Sequence, residues 1–502
     1  MDVLSNLALG LSVSLQPMNL LYCFIGTLLG TVIGVLPGIG PLATIAMLLP
    51  ITFGLSPEGS LIMLAGIYYG SQYGGSTTAI LLKLPGETSS AVTTIDGYQM
   101  AQQGRGGPAL AGAALGSFFA GTVATLLIAL VAKPLTLLAF NFSPAEYFSL
   151  MVVGLVSSIA LASGSIIKAL GMIFLGLMLG LTGTDIYTGY PRFTFGLTEL
   201  LDGLQFVAVA VGLFGVSEII RNLENPDGSV GSVAKVGRPW PTREDFKRMV
   251  APMLRGTAIG SFLGVLPGGG ALLSSFVAYT VEKKVSKYGH EMGHGAIEGV
   301  VAPESANNAG AQTSFIPMLA LGIPSNVVMA LMIGALIIQG VVPGPGVINA
   351  NPTLFWGLVV SMWVGNAMLL VLNLPLVGLW VKLLQIPYSV LFPIIIAFCC
   401  IGVYSVNNSA FGIYQITIAA LLGYVLIKLE CELAPFLLGF ILGPMIEENF
   451  RRAMLLSRGS IQTFIERPIS MWVLILTAAL LVWGLWSGLR QRSTVAQSPE
   501  SI

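Results

Sequence analysis

The sequence predicts an all-α polytopic membrane protein with about 12 transmembrane segments, judged from its composition, its apolar stretches and its internal repetition. The chain has 502 residues, of which 55% are hydrophobic and only 9% are charged, whereas a soluble globular protein carries about 25% charged residues. A surface this poor in charge is stable only against lipid. The apolar stretches are long and unbroken rather than alternating, so a transmembrane β-barrel is a poor fit.

The balance of charges argues against a nucleic-acid partner. The 23 Lys and Arg residues equal the 23 Asp and Glu residues in number, which gives a formal net charge of +0. The basic residues are confined to short polar segments and provide no extended basic face. We therefore expect the lipid bilayer and a small solute, and no nucleic acid, as partners.

Apolar stretches follow one another along the chain in two series. Several are shorter than the about 20 residues that a transmembrane helix needs, which predicts broken helices and re-entrant segments. The first series covers residues 20–36, 43–53, 61–84, 109–131, 148–162, 166–181 and 206–220. The second covers residues 256–266, 271–281, 315–338, 354–372, 374–384, 390–403, 411–427, 433–446 and 471–489.

The predicted organisation has four parts. Residues 1–220 form a first transmembrane repeat, 221–255 a polar linker, 256–450 a second transmembrane repeat, and 451–502 a basic segment with a final transmembrane helix and a polar tail. Basic residues outnumber acidic ones in the linker, so the positive-inside rule places it in the cytoplasm.

An internal repeat is visible in the sequence. Residues 26–40 read GTLLGTVIGVLPGIG and residues 256–270 read GTAIGSFLGVLPGGG, a match at an offset of 230. A looser match joins residues 68–91 to residues 308–330, each with small and hydroxylated residues before an L-P-G or I-P-S turn. Two halves with Gly/Pro-interrupted segments at corresponding places are typical of secondary transporters with pseudo-symmetric, inverted repeats.

The two P-G-x-G sequences predict a binding site for an anion. Proline and glycine end the preceding helix, and the N–H groups that begin the next half-helix carry a partial positive charge. Such amides suit a carboxylate or a phosphate. The same region also reads as a packing motif, because Gly26, Gly30 and Gly34 are spaced for close helix contact. We expect the glycine ladders to pack and the P-G-x-G ends to bind.

Hydroxyl and amide side chains close to the breaks are candidate substrate ligands. They donate hydrogen bonds to carboxylates without placing a full charge in the membrane, although Ser and Thr also commonly bond back to helix carbonyls. The predicted substrate-binding residues are Gly38, Gly40, Ser76, Thr77, Thr78, Gly86, Ser89, Gly268, Gly270, Asn307, Asn308, Thr313, Ser314 and Ser325.

Ionisable residues inside a membrane are costly and are functional candidates by default. Asp96 and Glu304 rank first as ion-coupling residues, with Na⁺ or H⁺ as the coupling ion and no other cofactor. Two alternatives stay open, since Glu87 reads equally well as a helix cap and Asp96 as part of a surface turn.

A competing motif suggests an intramembrane zinc peptidase. The only two histidines form His290-Glu291-Met292-Gly293-His294, which matches H-E-x-x-H, and Glu298 follows as a third ligand. The glycines in this segment disfavour the helix that such a site requires, and the preceding lysines indicate a solvated loop. A polar connection without catalytic histidines is the alternative.

The motifs together resemble the large membrane subunit of the tripartite tricarboxylate transporter family (TctA). The resemblance covers nearly the whole chain and rests on the P-G-x-G breaks, GGSTTAILLKLPGETSSAVTTIDG at 74–97, and GAIEGVVAPESANNAGAQTSFIPMLALGIPS at 295–325. It carries over to Pro37, Gly38, Gly40, Gly74 to Thr78, Pro85, Gly86, Asp96, Pro267, Gly268, Gly270, Pro303, Glu304, Asn307, Asn308, Pro324 and Ser325.

The resemblance implies a multi-pass permease of the bacterial inner membrane that is not an enzyme. It implies carboxylate uptake driven by an ion gradient, together with a small four-helix membrane subunit and a periplasmic solute-binding protein. A self-sufficient secondary carboxylate symporter, which would need no binding protein, is the second transport hypothesis.

Overall fold

The structure is a computed structural model that describes residues 3–36, 40–139, 142–160, 165–224, 240–266, 270–383 and 388–495. Within these ranges the chain is α-helical apart from one antiparallel hairpin, in which Gly183–Thr184 pairs with Pro191–Arg192. Short 3₁₀ turns lie at Thr88–Ala91 and Thr198–Leu200, and a π-helical segment lies at Val211–Val216.

The α-helices, in chain order, are α1 (Val3–Ser14), α2 (Pro17–Val35), α3 (Pro41–Thr52), α4 (Pro57–Leu82), α5 (Thr93–Gln102), α6 (Gly106–Ala139), α7 (Pro144–Ala160), α8 (Ile166–Gly180), α9 (Phe206–Ala210), α10 (Ser217–Glu224), α11 (Arg243–Val265), α12 (Gly270–Val285), α13 (Glu298–Thr313), α14 (Phe315–Leu321), α15 (Val327–Ile338), α16 (Val347–Ala350), α17 (Pro352–Asn373), α18 (Val377–Leu383), α19 (Tyr388–Asn407), α20 (Phe411–Lys428), α21 (Leu433–Leu456), α22 (Thr463–Glu466) and α23 (Pro468–Val495).

Six helical segments among the described residues are long and apolar enough to cross a membrane. They are Pro17–Val35, Gly106–Val131, Phe206–Glu224, Pro352–Asn373, Phe411–Lys428 and Leu433–Leu456. Several shorter apolar helices accompany them, α3, α8 and α15 among them. The predicted all-α polytopic membrane fold is confirmed, while the count of about 12 crossings and the inverted repeats stay predictions.

The helices stop around both predicted breaks. Helix α2 ends at Val35 and α3 begins at Pro41, while α11 ends at Val265 and α12 begins at Gly270. Residues 37–39 and 267–269, which include the predicted ligands Gly38 and Gly268, lie outside the described residues. The described helices thus end and begin on either side of the Pro-Gly sequences, as the missing N–H of proline and the wide φ range of glycine predict.

The glycine ladders pack, as expected. A Cβ atom added to any ladder glycine would lie less than 3.0 Å from a backbone carbonyl oxygen of the neighbouring helix. In α2 the contacts are Gly26 with Met63, Gly30 with Ile67 and Gly34 with Ser71, and in α11 they are Gly256 with Ala302, Gly260 with Ala306 and Gly264 with Gly310. Glycine thus allows α2 to approach α4, and α11 to approach α13, backbone against backbone.

Helix α13 is polar in sequence and completely buried in the fold. All sixteen of its residues, from Glu298 to Thr313, are buried, and they include two Glu, two Asn and one Gln. Hydropathy analysis does not identify this segment as a membrane helix because many of its side chains are not apolar. Burial of so many polar groups is stable only where each is hydrogen-bonded or serves a function.

The chain forms two compact units. The first contains residues 1–137 and 214–409, and the second contains residues 138–213 and 410–502. Each unit draws on both sequence halves, and the predicted boundaries at 220, 255 and 450 stay predictions. The predicted polar linker is partly helical, because its residues from Arg243 onward are the start of α11.

The second unit is held by close helix contacts and by an ion-pair cluster. Helices α8 and α21 meet through Gly176, Gly180 and Gly439, each of which faces backbone of the other helix. Beside them, the Arg451 guanidinium lies 3.1 Å from the carboxylate of Asp185 at the hairpin. These contacts fix the hairpin on the end of α21.

Candidate functional site

Glu304 lies at the centre of the first unit, on the polar helix α13. Its side chain is fully buried, and its two carboxylate oxygens face different helices. Ser76 of α4 donates a hydrogen bond to Oε2 at 2.6 Å, and Thr93 of α5 donates to Oε1. Two of the hydroxylated stretches singled out in the sequence therefore converge on the carboxylate predicted to carry the coupling ion.

Glu87 is a second buried carboxylate beside Glu304. Helix α4 ends at Leu82, Lys83 takes a left-handed conformation (φ 60°), and the chain turns through Pro85-Gly86 into the 3₁₀ turn that Glu87 caps. The Ser89 hydroxyl donates to Glu87, and Asn307 Nδ2 of α13 lies 3.3 Å from Glu87 Oε1. Asn307 lies one helical turn after Glu304, so α13 carries both the Glu304 carboxylate and a donor to Glu87.

The corner at Gly86 fits against α4 only because small residues meet there. A Cβ atom on Gly86 would lie less than 3.0 Å from Gly34 O, Gly75 Cα and Thr78 Oγ1. A Cβ atom on Gly75 would lie 2.9 Å from Glu87 Cγ. Gly86, a predicted substrate-binding residue, therefore allows the loop to pack closely against α4, and this packing places the Glu87 carboxylate in the interior.

The carboxylate pair lacks a charged partner. Within the described part of the chain, the hydrogen bonds to Glu87 and Glu304 come from hydroxyl, amide and backbone N–H groups. Asn307 Oδ1, at the same place, is buried and has no hydrogen-bond partner. Two ionised carboxylates out of water are strongly unfavourable without a counter-charge. Positive charge, from a proton or a metal ion, would stabilise such a pair.

A small cavity in the first unit is lined by Ser76, the residue that donates to Glu304. Its walls are formed by α4, α6 and the end of α17, and it has room for about one water molecule. The lining residues are Tyr73, Ser76, Thr77, Leu110, Ala113, Ala114, Ser117 and Asn373. Asn308, a predicted ligand, does not line it but donates from Nδ2 to Ser117 Oγ at 2.7 Å.

The second break forms a corner of neutral groups. Asn326 caps α15 through its Oδ1, which accepts from Met329 N at 3.0 Å, and its Nδ2 is buried without a hydrogen-bond partner. A Cβ atom on Gly270, which begins α12 with φ +45°, would lie 3.4 Å from that Nδ2. Ser325 Oγ donates to Ser314 O at 3.2 Å. Two half-helices thus begin near one free amide donor.

Several predicted hydroxyl ligands bond back to their own helix. Thr78 donates to Gly75 O at 3.0 Å, Thr313 to Ala309 O at 2.9 Å, and Ser314 to Ala311 O at 2.6 Å. This is the alternative that the sequence left open for any single Ser or Thr. Gly40, the remaining predicted ligand, is the N-cap residue of α3, and nothing lies within 4 Å of the position that a Cβ atom would take there.

Asp96 has a different environment from Glu304. Its Oδ1 accepts three backbone N–H bonds from Gly293, Gly295 and Ala296 at 2.8–2.9 Å, and its Oδ2 accepts the Tyr279 hydroxyl at 2.9 Å. The carboxylate is fully buried and its acceptor capacity is largely used. It anchors the loop before α13, and its ion-coupling role stays a prediction.

The H-E-x-x-H segment lies in that loop, which consists of turns rather than helix. The side chain of His290 is 78% exposed, and Glu291 and Glu298 both pair with Arg248 at 2.7 Å. Among the described residues no group of three His, Cys, Asp or Glu side chains could hold a metal ion. The two glutamates of the motif are therefore engaged in an ion-pair network with Arg248, while the side chain of His290 faces solvent.

Sequence reasoning missed two groups that the fold places at the site and did not rank a third. Gln72 and Asn373 were not considered, and Glu87 was weighed as an ionisable candidate against a helix cap but was not ranked with Asp96 and Glu304. Gln72 Oε1 accepts the Ser89 hydroxyl at 3.1 Å, and Asn373 lines the cavity. The sequence signal for Gln72 and Asn373 was weak, because each is a single polar residue in an apolar stretch. Polar residues inside a membrane are nevertheless candidates for functional positions.

These observations define a multi-pass membrane protein of the transporter class, with interrupted helices around buried polar and ionisable groups. The sequence model of the tripartite tricarboxylate transporter TctA family matches residues 20–438. The chain belongs to this family and is the large membrane subunit of a tripartite transporter. Membership of a tripartite family implies two further partner subunits.

Two proteins of Agrobacterium vitis are similar to the chain over long segments. An "Uncharacterized 52.8 kDa protein in TAR-I ttuC' 3'region" is 60% identical over 492 residues, which are 98% of this chain and 98% of that protein. An "Uncharacterized protein in TAR-II ttuC' 3'region" is 57% identical over 233 residues, which are 46% of this chain and 96% of that protein. No solved structure matches the chain.

Family membership decides between the transporter and peptidase hypotheses. The TctA family is non-enzymatic, so the expectation that the chain is not an enzyme is confirmed and the zinc-peptidase alternative is wrong. The turn conformation at His290 and the pairing of Glu291 and Glu298 with Arg248 give the physical reason.

Proposed function

We propose that this chain is the permease subunit of a carboxylate importer driven by a Na⁺ or H⁺ gradient. It works in the bacterial inner membrane with a small four-helix membrane subunit and receives its substrate, a di- or tricarboxylate, from a periplasmic solute-binding protein. The observation that carries the coupling is the buried pair of Glu87 and Glu304, which is held by neutral donors and which positive charge would stabilise.

Glu304 is the coupling residue in this proposal, and Glu87 shares the charge. Cation binding cancels the repulsion between the carboxylates and stabilises the contact between the Glu87 corner and α13. Release of the cation restores that repulsion and favours separation of the two elements. Asp96 takes the structural role that its four donors indicate, and the predicted coupling role is assigned to Glu304 alone.

The packing contacts support two structural repeats. The glycines of α2 face Met63, Ile67 and Ser71, and the glycines of α11 face Ala302, Ala306 and Gly310. Each of the three residues faced by α11 comes 239 positions after the corresponding residue faced by α2. The turn residues Pro85 and Pro324 differ by the same offset. We infer from this agreement that α2–α4 and α11–α13 are pseudo-symmetric units, with inverted orientation as in other secondary transporters.

Substrate carboxylates bind, in this proposal, at the half-helix N-termini and the neutral donors around the second corner. Helices α12 and α15 begin there, and Asn326 Nδ2 is an unused donor beside Gly270. An anion gains from both the N–H groups and the helix dipoles. The cation site and the anion site then carry opposite charges, which couples their occupation.

Uptake of radiolabelled di- and tricarboxylates into proteoliposomes tests this function. Vesicles should contain the chain, its small membrane partner and added binding protein, and an inward Na⁺ or H⁺ gradient should be imposed. We expect accumulation only with a gradient and with all three proteins. Accumulation without either gradient would reject the coupling, and accumulation without the binding protein would establish the self-sufficient symporter instead.

A further inference from the structure

The loop between α21 and α23 buries one aromatic side chain and leaves four aliphatic side chains exposed. Phe464 is 5% exposed, and its ring centroid lies 5.0 Å from that of Phe148 in α7 and 5.7 Å from that of Phe450 in α21. The exposed residues, each 64–75% accessible, are Leu455, Leu456, Ile461 and Ile465. Apolar surface of this extent favours a partner that removes it from water.

The backbone of this loop has a defined conformation. Arg458 and Gly459 both have positive φ angles, of 52° and 87°, and turn the chain back after α21. Gly459 N donates to Met454 O at 2.8 Å, and Ser457 Oγ donates to Ser460 O at 2.9 Å. The exposed side chains are therefore presented on a folded turn.

The loop lies at the level where two apolar helices begin. Phe464 packs with Ala453 and with Ala145, which belongs to the first turn of α7. Ser470, in the first turn of α23, shares a hydrogen bond with Ser149 of α7. Both helices are apolar beyond these residues. Because the ends of membrane helices lie among the lipid headgroups, the exposed side chains of the loop are at the depth of the membrane surface.

Positive charge accompanies the apolar side chains. Arg458 is exposed, and its guanidinium pairs with no carboxylate in the part of the chain that the structure describes. Arg452 and Arg467 are also exposed, although each pairs with a carboxylate. The acidic residue in segment 457–467 is Glu466. A free guanidinium can donate two parallel N–H bonds to a phosphate group.

From these observations we propose that residues 455–467 bind an anionic phospholipid at the membrane surface. Arg458 binds the phosphate oxygens of the headgroup, and the four exposed aliphatic side chains enter the boundary between headgroups and acyl chains. Apolar side chains and a nearby cation are the two requirements of an interfacial site for anionic lipid. The bound lipid anchors the second unit, and its binding does not depend on the proposed transport function.

Titration of the purified full-length chain with phosphatidylglycerol, followed by native mass spectrometry, tests this site, and phosphatidylcholine is the neutral reference lipid. The test variant is Arg458→Gln, which removes the charge from an exposed residue. Its matched control is Arg243→Gln, at the exposed first residue of α11. We expect Arg458→Gln to weaken the first phosphatidylglycerol-binding step about fivefold, which is the contribution of one basic residue at a membrane surface. The control should bind both lipids as the wild type does.

Two further variants separate the contributions of charge and apolar surface. Arg458→Lys keeps the charge and should retain the preference for phosphatidylglycerol. Ile461→Ser removes an apolar contact and should weaken the binding of both lipids. Folding of each variant is checked by its thermal unfolding, which should be unchanged because both side chains are exposed.

The outcomes distinguish a lipid from a protein partner. Equal affinity of the wild type for the two lipids, or equal phosphatidylglycerol titrations of the wild type and Arg458→Gln, would overturn the lipid site. Failure of Arg458→Gln to assemble with the small membrane subunit, without any change in lipid binding, would assign the loop to a protein contact instead. A loss of preference in Arg458→Gln that Arg458→Lys and Arg243→Gln do not show would support the lipid site.

Discussion

Gly260→Ala offers a quantitative test of the packing between α11 and α13. A Cβ atom at this position would lie less than 3.0 Å from the O, Cα and C atoms of Ala306, all of them backbone atoms. An ordinary contact needs at least 3.4 Å, so the two helices must move apart. Overpacking of this kind costs about 1–3 kcal/mol, while alanine restores about 0.5–1 kcal/mol of helix propensity.

We therefore expect Gly260→Ala to lower the free energy of unfolding by about 1 kcal/mol, the difference between the middles of these two ranges, measured by SDS titration of the purified protein in mixed micelles. Gly171→Ala is the matched control, because it makes the same change inside α8 where nothing lies within 4 Å of the new Cβ. It should be neutral or slightly stabilising. Equal stability of the two variants would refute the account of backbone-to-backbone packing.

Two more predictions concern the anchors of the polar loops. Asp96→Ala leaves three N–H groups without their acceptor and should make the loop before α13 sensitive to limited proteolysis. Tyr279→Phe removes one donor to Asp96 and should have a much smaller effect. Similar digestion of the two variants would contradict the anchoring role of Asp96. The pKa of Asp185 is lowered to about 2, chiefly by the N–H of Tyr187 and further by Thr188 and Arg451. The contribution of ionised Asp185 to the free energy of unfolding should be complete above pH 3.8, the ordinary pKa of the group, and be lost as the pH falls towards about 2. If the free energy of unfolding of Asp185→Asn keeps this pH dependence, Asp185 is not its source.

Local chemistry made much of the fold predictable. Proline and glycine end helices through the backbone, so the stops after Val35 and Val265 could be read from P-G-x-G alone. Ladders of glycine at every fourth residue lie on one helix face, so their packing was predictable as well. What they pack against was not, because the facing carbonyls of α4 and α13 belong to distant parts of the chain.

Helix α13 shows where sequence reasoning fails. Its sixteen residues include Glu304, Asn307 and Asn308, and a hydropathy window treats such a segment as solvent-exposed. The fold buries it because the surrounding helices α4, α5 and α11 supply polar partners and close glycine contacts. Those partners come from other parts of the sequence, so only the tertiary structure reveals them.

The candidate site was predictable in part. Glu304 and the hydroxyls of the GGSTT stretch were identified from their types, and the structure brings Glu304 together with Ser76. The partnership of Glu304 with Glu87 could not be read from the sequence, because it depends on how the Gly86 corner seats on α4. Asp96 was chosen for its charge, which does not distinguish an ion ligand from a loop anchor.

The most direct test of the coupling by Glu304 is a comparison of accumulation with exchange in proteoliposomes that contain the complete tripartite system. Glu304→Gln keeps the shape of the side chain and removes its charge. The control is Thr94→Val, at a part-buried position whose hydroxyl donates, among the described residues, to Ala91 O. The account predicts that Glu304→Gln abolishes gradient-driven accumulation while substrate exchange persists. The control variant should retain both gradient-driven accumulation and substrate exchange. Wild-type accumulation by Glu304→Gln that still depends on the gradient would contradict the account.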